Sequence, residues 1–179
     1  VASESLFKVV EKSLFYYNES NEAFDVTVGP IVEEWGFSSN YNFTMMPDSS
    51  DIFELLSHSG SDKIILDNGS IIKLDPDLKI DLGAIAKGWA VDQIGDLLRM
   101  NGFANYLVEI GGEIVASGLN KKNQKWKIGI KSPENQNEII KTIKITDMSV
   151  ATSGTYQNYF EYVVMDQLMK VEFWQVHLC

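Results

Sequence analysis

The sequence predicts an α+β fold with helices packed on a mostly antiparallel sheet. Three observations predict it: helical spacing of apolar residues at the start and in one central segment, a series of short β-rich runs separated by turn residues after that segment, and the order in which the two kinds of element follow each other. With 179 residues, 45% of them apolar, the chain is long enough for one sizeable core and short for two.

The first element is a helix in SESLFKVVEKSLFYYNES, where Leu6, Val10 and Leu14 recur four apart with Phe7 and Phe15 beside them, the spacing of one buried face. A second, short helix is expected in DIFELLSHSG, with Asp51 and Glu54 in capping-box spacing and Gly60 as its stop. KIILDNGSIIKL then pairs two β-rich runs across Asn68-Gly69, residues that tolerate the positive φ of a tight hairpin. In KIDLGAIAKGWAVDQIGDLL, Ala86, Ala90, Ile94 and Leu98 form one stripe, joined by Leu97, and Asn101-Gly102 ends the helix. That stripe is expected to face inward. ANYLVEI, EIVASG, KWKIGIK and EIIKTIKIT follow as strands. Glycine and proline are absent after Gly154, so turn signals vanish there.

Charge and composition exclude several functions. A net charge of -10 repels a phosphate backbone, and no basic stripe interleaved with aromatics overrides it, so nucleic acid is not an expected partner. No apolar run reaches the roughly 18 residues of a membrane span, and the start does not read as a signal peptide. The single cysteine, Cys179, excludes an internal disulfide framework and a cysteine-rich metal site. P-loop, dinucleotide-binding and nucleophile-elbow signatures are absent. His58 and His177 have no metal-pair spacing, and His58 reads as a surface residue favoured by a helix C-terminus.

Four clusters remain as candidates for chemistry. Lys87 falls near a helix start, where the macrodipole disfavours a cation, so an anion is expected beside it. Free N–H groups, the glycines Gly83 and Gly88 and this lysine together describe a phosphate site. Asp81 can accept from a base, ribose or flavin edge or act on a metal through water; equally, it can cap the turn while Lys87 reaches to solvent. In NEAFDVTVGPIVEEWGF, read as a loop, Asp25 can accept from an adenine amino group or a ribose hydroxyl. Phe24 and Trp35 there offer flat surfaces for a ring, although Trp35 and Phe37 read more readily as core. Gly111-Gly112 in VEIGGEI and Thr152-Ser153-Gly154 in MSVATSGTYQNYF fit either close ligand approach or plain turns.

Taken in order, AFDVTVGPIVEEWGF, IDLGAIAKGWAVDQI, LVEIGGEI, WKIGIKSP and SVATSGTYQNYFE resemble the ApbE family of flavin-binding proteins, the FAD:protein FMN transferases. The resemblance implies an α+β fold, binding of FAD with Mg2+, and transfer of FMN to a Thr or Ser of an acceptor flavoprotein with release of AMP. It places Ala23, Phe24, Asp25, Asp81 and Lys87 at FAD-contacting positions and Ala84 at the position whose main-chain oxygen meets the metal. It also implies an exported, periplasmic or outer-face lipoprotein, attached to a membrane only through an anchor that this sequence does not contain.

The resemblance covers residues 1–161, an incomplete flavin-binding domain that begins at the family's first helix, and leaves 162–179 as a divergent tail. The histidine followed by Ile-Asp-Pro and the acidic, threonine-bearing segment that complete the family's metal site are not matched. Asp166 and His177 have neighbours that fit neither motif. The expectation is an FMN transferase whose 179-residue chain transfers poorly by itself, or alternatively a non-catalytic FAD-binding module or an inactive truncated family member.

Overall fold

A computed structural model of the chain describes residues 2–37, 46–135, 137–153, 159–164 and 167–172, the last two segments by backbone alone. It divides into two compact units, Val1–Ala84 and Ile85–Cys179. The division falls inside the Lys79–Leu98 segment singled out above.

The first unit opens with helix α1, Glu4–Glu19, capped by Ser3, whose side chain accepts from the Leu6 N–H. Its inward face is Val9, Val10, Ser13 and Tyr17, a rotation of the expected stripe. Leu6 and Phe15 are 41% and 49% exposed. Ser13 tolerates burial because its hydroxyl donates to the Val9 carbonyl one turn back, at 2.8 Å. Phe15 instead stacks edge-on with Tyr16, and Lys12 lies over both rings.

Helix α2, Gly29–Glu34, occupies a stretch expected to be loop. Pro30 in its first turn explains this, since the missing N–H costs nothing there and the fixed φ suits a helix. Helix α3, Ser49–Ser57, is capped by Asp48, which accepts from the Ser50 N–H, and not by Asp51, which sits in the first turn. It ends at His58, and Gly60 opens a 3-10 turn, Ser61–Lys63, instead of closing the helix. Strands β1, Ile64–Asp67, and β2, Ser70–Lys73, then pair antiparallel. Asn68 and Gly69 both have positive φ, 45° and 77°, the two-residue turn the sequence predicts. The core of this unit is Val10, Val26, Ile64 and Leu78, with Leu14 and Phe24 packed against it.

The second unit is a helix on antiparallel ladders. Helix α4 spans Ala86–Met100 and packs on strands β3, Tyr106–Ile110, and β4, Glu113–Ser117. Its buried residues are Gly88, Val91 and Gly95. The expected inward stripe holds only in part: Ala90 and Leu98 are half-buried, but Ile94 and Leu97 are 40% and 56% exposed and Ala86 is exposed. The cause is backbone proximity, because a Cβ at Gly95 would already lie 3.3 Å from Tyr106 and Val115 side-chain atoms. The helix ends as predicted at Asn101-Gly102, with Phe103 N–H bonded to the Leu98 carbonyl and Gly102 N–H to that of Arg99, a Schellman closure.

Strands β5, Trp126–Lys131, and β6, Ile139–Ile145, pair with each other. β7, Met148–Val150, not among the strands expected from the sequence, joins β4. Every pairing among the described residues is antiparallel, but these strands divide into four small sheets instead of one. The core here is Ile114, Ala116 and Ile145 with Trp126, Ile128 and Val150 against them. Lysines gather on the solvent side of β5–β6, with Lys127 directly opposite Lys144, a local basic face that the composition of an acidic chain conceals. The tail also holds structure: β8, Tyr159–Val164, pairs with β9, Gln167–Glu172, despite the lack of glycine and proline.

Candidate functional site

In the second unit, three of the sequence clusters meet at the start of α4. Ile85 stands at its N-cap and supplies no side-chain hydrogen bond, so the first N–H groups are not capped from within. One residue into the helix, the Lys87 ammonium lies 3.1 Å from the Glu113 carboxylate. Glu113 comes from the first position of β4 and is 1% exposed, whereas the Lys87 side chain is 35% exposed. The anion expected beside this lysine is therefore supplied by the chain itself.

The Gly111-Gly112 turn between β3 and β4 faces the same point. Gly111 has φ +58°, and a Cβ on it would lie 3.3 Å from the Lys87 Cδ. The turn needs a residue that accepts positive φ and leaves room for the lysine stem. A Cβ on Gly112 would in turn lie 3.4 Å from the Thr152 hydroxyl. Lys87, Gly111-Gly112, Glu113 and Thr152 thus form one neighbourhood. Sequence reading quoted the glutamate without singling it out; the available signal was a carboxylate at the first strand position after a two-glycine turn.

In the first unit, Asp25 is a clamp. Its Oδ1 accepts from the Thr27 N–H, the Thr27 hydroxyl and the Ser61 hydroxyl at 2.8, 2.7 and 2.7 Å, and its Oδ2 from the Ser61 N–H at 3.2 Å. Thr27 Oγ1 accepts from Gly60 N–H at 2.7 Å, so the carboxylate ties the 25–27 segment to the 60–61 turn. Ala23 is exposed beside it. Phe24 is half-buried against the core, edge-on to Tyr16.

Asp81 is exposed, and its Oδ1 accepts from the Gly83 N–H at 2.7 Å in a short local turn. The main chain of Asp81 is fixed by a 2.7 Å bond to the Val26 carbonyl. A Cβ at Gly29 would fall 2.7 Å from the Asp81 Cβ, so the acid is seated against the start of α2. Ala84 is the last residue of this unit. Asp81 and Ala84 therefore belong to one unit and Lys87 to the other.

His58 stands at the C-cap of α3, the helix end expected for it, and it also has a carboxylate partner. Its Nδ1 lies 2.7 Å from Asp75 Oδ2, while the Asp77 N–H donates to Asp75 Oδ1 at 2.9 Å. The bond from His58, with the second from Asp77, holds the Asp75 carboxyl below the usual aspartate range. His58, Asp75 and Asp77 are the group of possible metal ligands among the described residues; none is a position the family resemblance implies. Gly154, Asp166, His177 and Cys179 lie outside the described residues.

The class these features define is an α+β protein with a lysine-marked helix start and a glycine turn packed beside it. The ApbE family model matches residues 1–170, and the chain belongs to the ApbE family. It is 37% identical over 160 residues to the FAD:protein FMN transferase of Vibrio cholerae, covering 89% of this chain and 48% of that protein. Against the enzyme of the same name from Haemophilus influenzae, identity is 36% over 165 residues, with the same coverage of 89% and 48%. Among solved structures, flavin transferase ApbE from Vibrio cholerae superposes with a TM-score of 0.77 at 35% identity, covering 87% of this chain and 51% of that one. The ApbE protein of Thermotoga maritima gives 0.76 at 32% identity, with coverage of 93% and 54%. The chain thus spans about half the length of the curated relatives it matches.

Proposed function

We propose that this protein is an FAD:protein FMN transferase and that Lys87 meets the phosphates of FAD. The observation that carries the reading is the start of α4, where N–H groups without a side-chain cap lie beside a partly exposed ammonium and a glycine turn. The names of the family's relatives supply the substrate. In the reaction a Thr or Ser hydroxyl of an acceptor flavoprotein attacks the FMN-side phosphorus of FAD. The phosphoanhydride bond to the adenylate breaks, AMP leaves, and the hydroxyl proton is given up. Within this scheme Asp81 and the Ala23-Phe24-Asp25 stretch contact the flavin nucleotide.

The Mg2+ that the family resemblance implies would, where bound, supply charge neutralisation at the phosphates. The fit of the described residues to it is poor: no group of three His, Cys, Asp or Glu side chains gathers at Ala84, and a main-chain oxygen alone lacks the carboxylate such a site uses. No step is therefore assigned to the ion. The expected behaviour of the 179-residue chain is FAD binding with little transfer. Incubation with FAD, Mg2+ and a threonine-bearing acceptor, read by mass for an added FMN, tests both parts. Stoichiometric labelling overturns the expectation of weak transfer, and failure to retain FAD overturns the flavin reading itself.

A further inference from the structure

We infer that Glu113 is a positioning residue for Lys87, holding its ammonium at the start of α4 so that an incoming phosphate meets a fixed cation. The inference rests on the reading of Lys87 as a flavin-phosphate contact. Its first support is the asymmetry of the pair: the carboxylate is 1% exposed and the lysine side chain 35%. An acid that deep inside does not touch a ligand arriving from solvent, so its influence passes through the lysine. Left alone, a lysine stem with four rotatable bonds would swing away from the positive end of the helix dipole. At 3.1 Å the buried carboxylate opposes that motion.

The second support is the turn that precedes Glu113. Gly111 adopts φ +58° and leaves the space through which the Lys87 stem passes, 3.3 Å from where a Cβ would stand. The turn therefore admits the stem while the next strand residue but one receives its charge. The contact with Glu113 is an ion pair at 3.1 Å, which fixes the ammonium by charge, and an ammonium has three N–H donors in all. The carboxylate costs some attraction for the anion, but a donor already in place loses less freedom on binding.

Lysine labelling and FAD titration on the full chain together test the inference. In brief acetylation followed by peptide mass analysis, Lys87 is expected to react more slowly than Lys127. Glu113→Gln is expected to accelerate Lys87 about tenfold, the order of magnitude for loss of one partly buried ion pair, and to leave Lys127 unchanged. In FAD titrations the same substitution weakens binding by about the same factor in the wild-type background and has no further effect in the Lys87→Ala background. Unchanged Lys87 labelling, or equal weakening in both backgrounds, overturns the inference, the latter because it marks a structural role. Faster labelling with FAD affinity indifferent to Lys87→Ala supports the positioning and overturns the flavin contact, so the two failures are distinct. Should Glu113→Gln not fold, Glu113→Asp keeps the charge but withdraws it, and intermediate labelling is expected; wild-type labelling then counts against the inference.

Discussion

Replacing Asp25 with asparagine keeps the shape of the side chain and removes its charge, and the structure gives the consequence a size. Three of its bonds, from Thr27 N–H, Thr27 Oγ1 and Ser61 Oγ, are 2.7–2.8 Å long, and the fourth, from Ser61 N–H, is 3.2 Å. Bonds to a charged acceptor contribute about 1.5–3 kcal/mol each and neutral ones about 0.5–1.5. Three short bonds weakened by about 1 kcal/mol each set an upper bound near 3 kcal/mol. Partial exposure of Asp25 and coupling of the bonds through shared Thr27 and Ser61 reduce this to about 2 kcal/mol. Asparagine also turns an amide N–H2 toward a donor, Ser61 N–H, that was accepted before. Alanine should cost more, about 3–4 kcal/mol, because the N–H groups of Thr27 and Ser61 are left without this acceptor and both residues are 1% exposed. Urea unfolding at neutral pH, followed by circular dichroism, measures both variants. An Asp25→Asn midpoint equal to that of the wild type would refute the clamp. A loss of FAD affinity measured far below either midpoint would show, in addition, that the carboxylate serves the ligand.

Two further outcomes follow from the same geometry. Gly95→Val should destabilise the chain by about 1–3 kcal/mol, since Tyr106 and Val115 already stand 3.3 Å from the place of its Cβ; a denaturation midpoint at or above that of the wild type would contradict the packing described. The Asp75 carboxyl is held below the usual aspartate range first by its bond to His58. A carboxylate whose folded value lies below its unfolded one contributes stability above the ordinary aspartate value near ~3.9 and loses it as pH falls through the folded value. Asp75→Asn should therefore lower stability at neutral pH and flatten the acid limb below about pH 4, and an unaltered acid limb in pH-dependent melting would remove the pair from the account.

What could be read from the sequence was what neighbouring residues decide among themselves. Asn68-Gly69 and Asn101-Gly102 carry their turn chemistry locally, and both structures form where expected. Spacing misled where a choice between similar residues was needed: Asp51 paired with Glu54 in the capping pattern, yet Asp48, just ahead of the helix, holds the Ser50 N–H. Hydropathy misled in α4 because it gives glycine no weight, while Gly88 and Gly95 mark the face that approaches β3 and β4. Thr27 is a local partner of Asp25, but Ser61, its other partner, and Asp75, the partner of His58, lie 36 and 17 residues away, beyond any local pattern. For the candidate site, the expectation of an anion beside Lys87 followed from the helix dipole, but only the fold shows that β4 delivers it as Glu113.

The glycine face of α4 has a consequence for mutational mapping. Most cores announce themselves when a large side chain is cut back, because truncation leaves a cavity. Here two of the three buried positions, Gly88 and Gly95, have nothing to cut, and Val91 has only its methyl groups to lose. In an alanine scan, truncation would register at Val91 and change little at Ile94, Leu97 and Met100, whose side chains are exposed. A scan by enlargement, inserting valine or leucine along the same helix, would reverse the map and light up the positions that truncation cannot see.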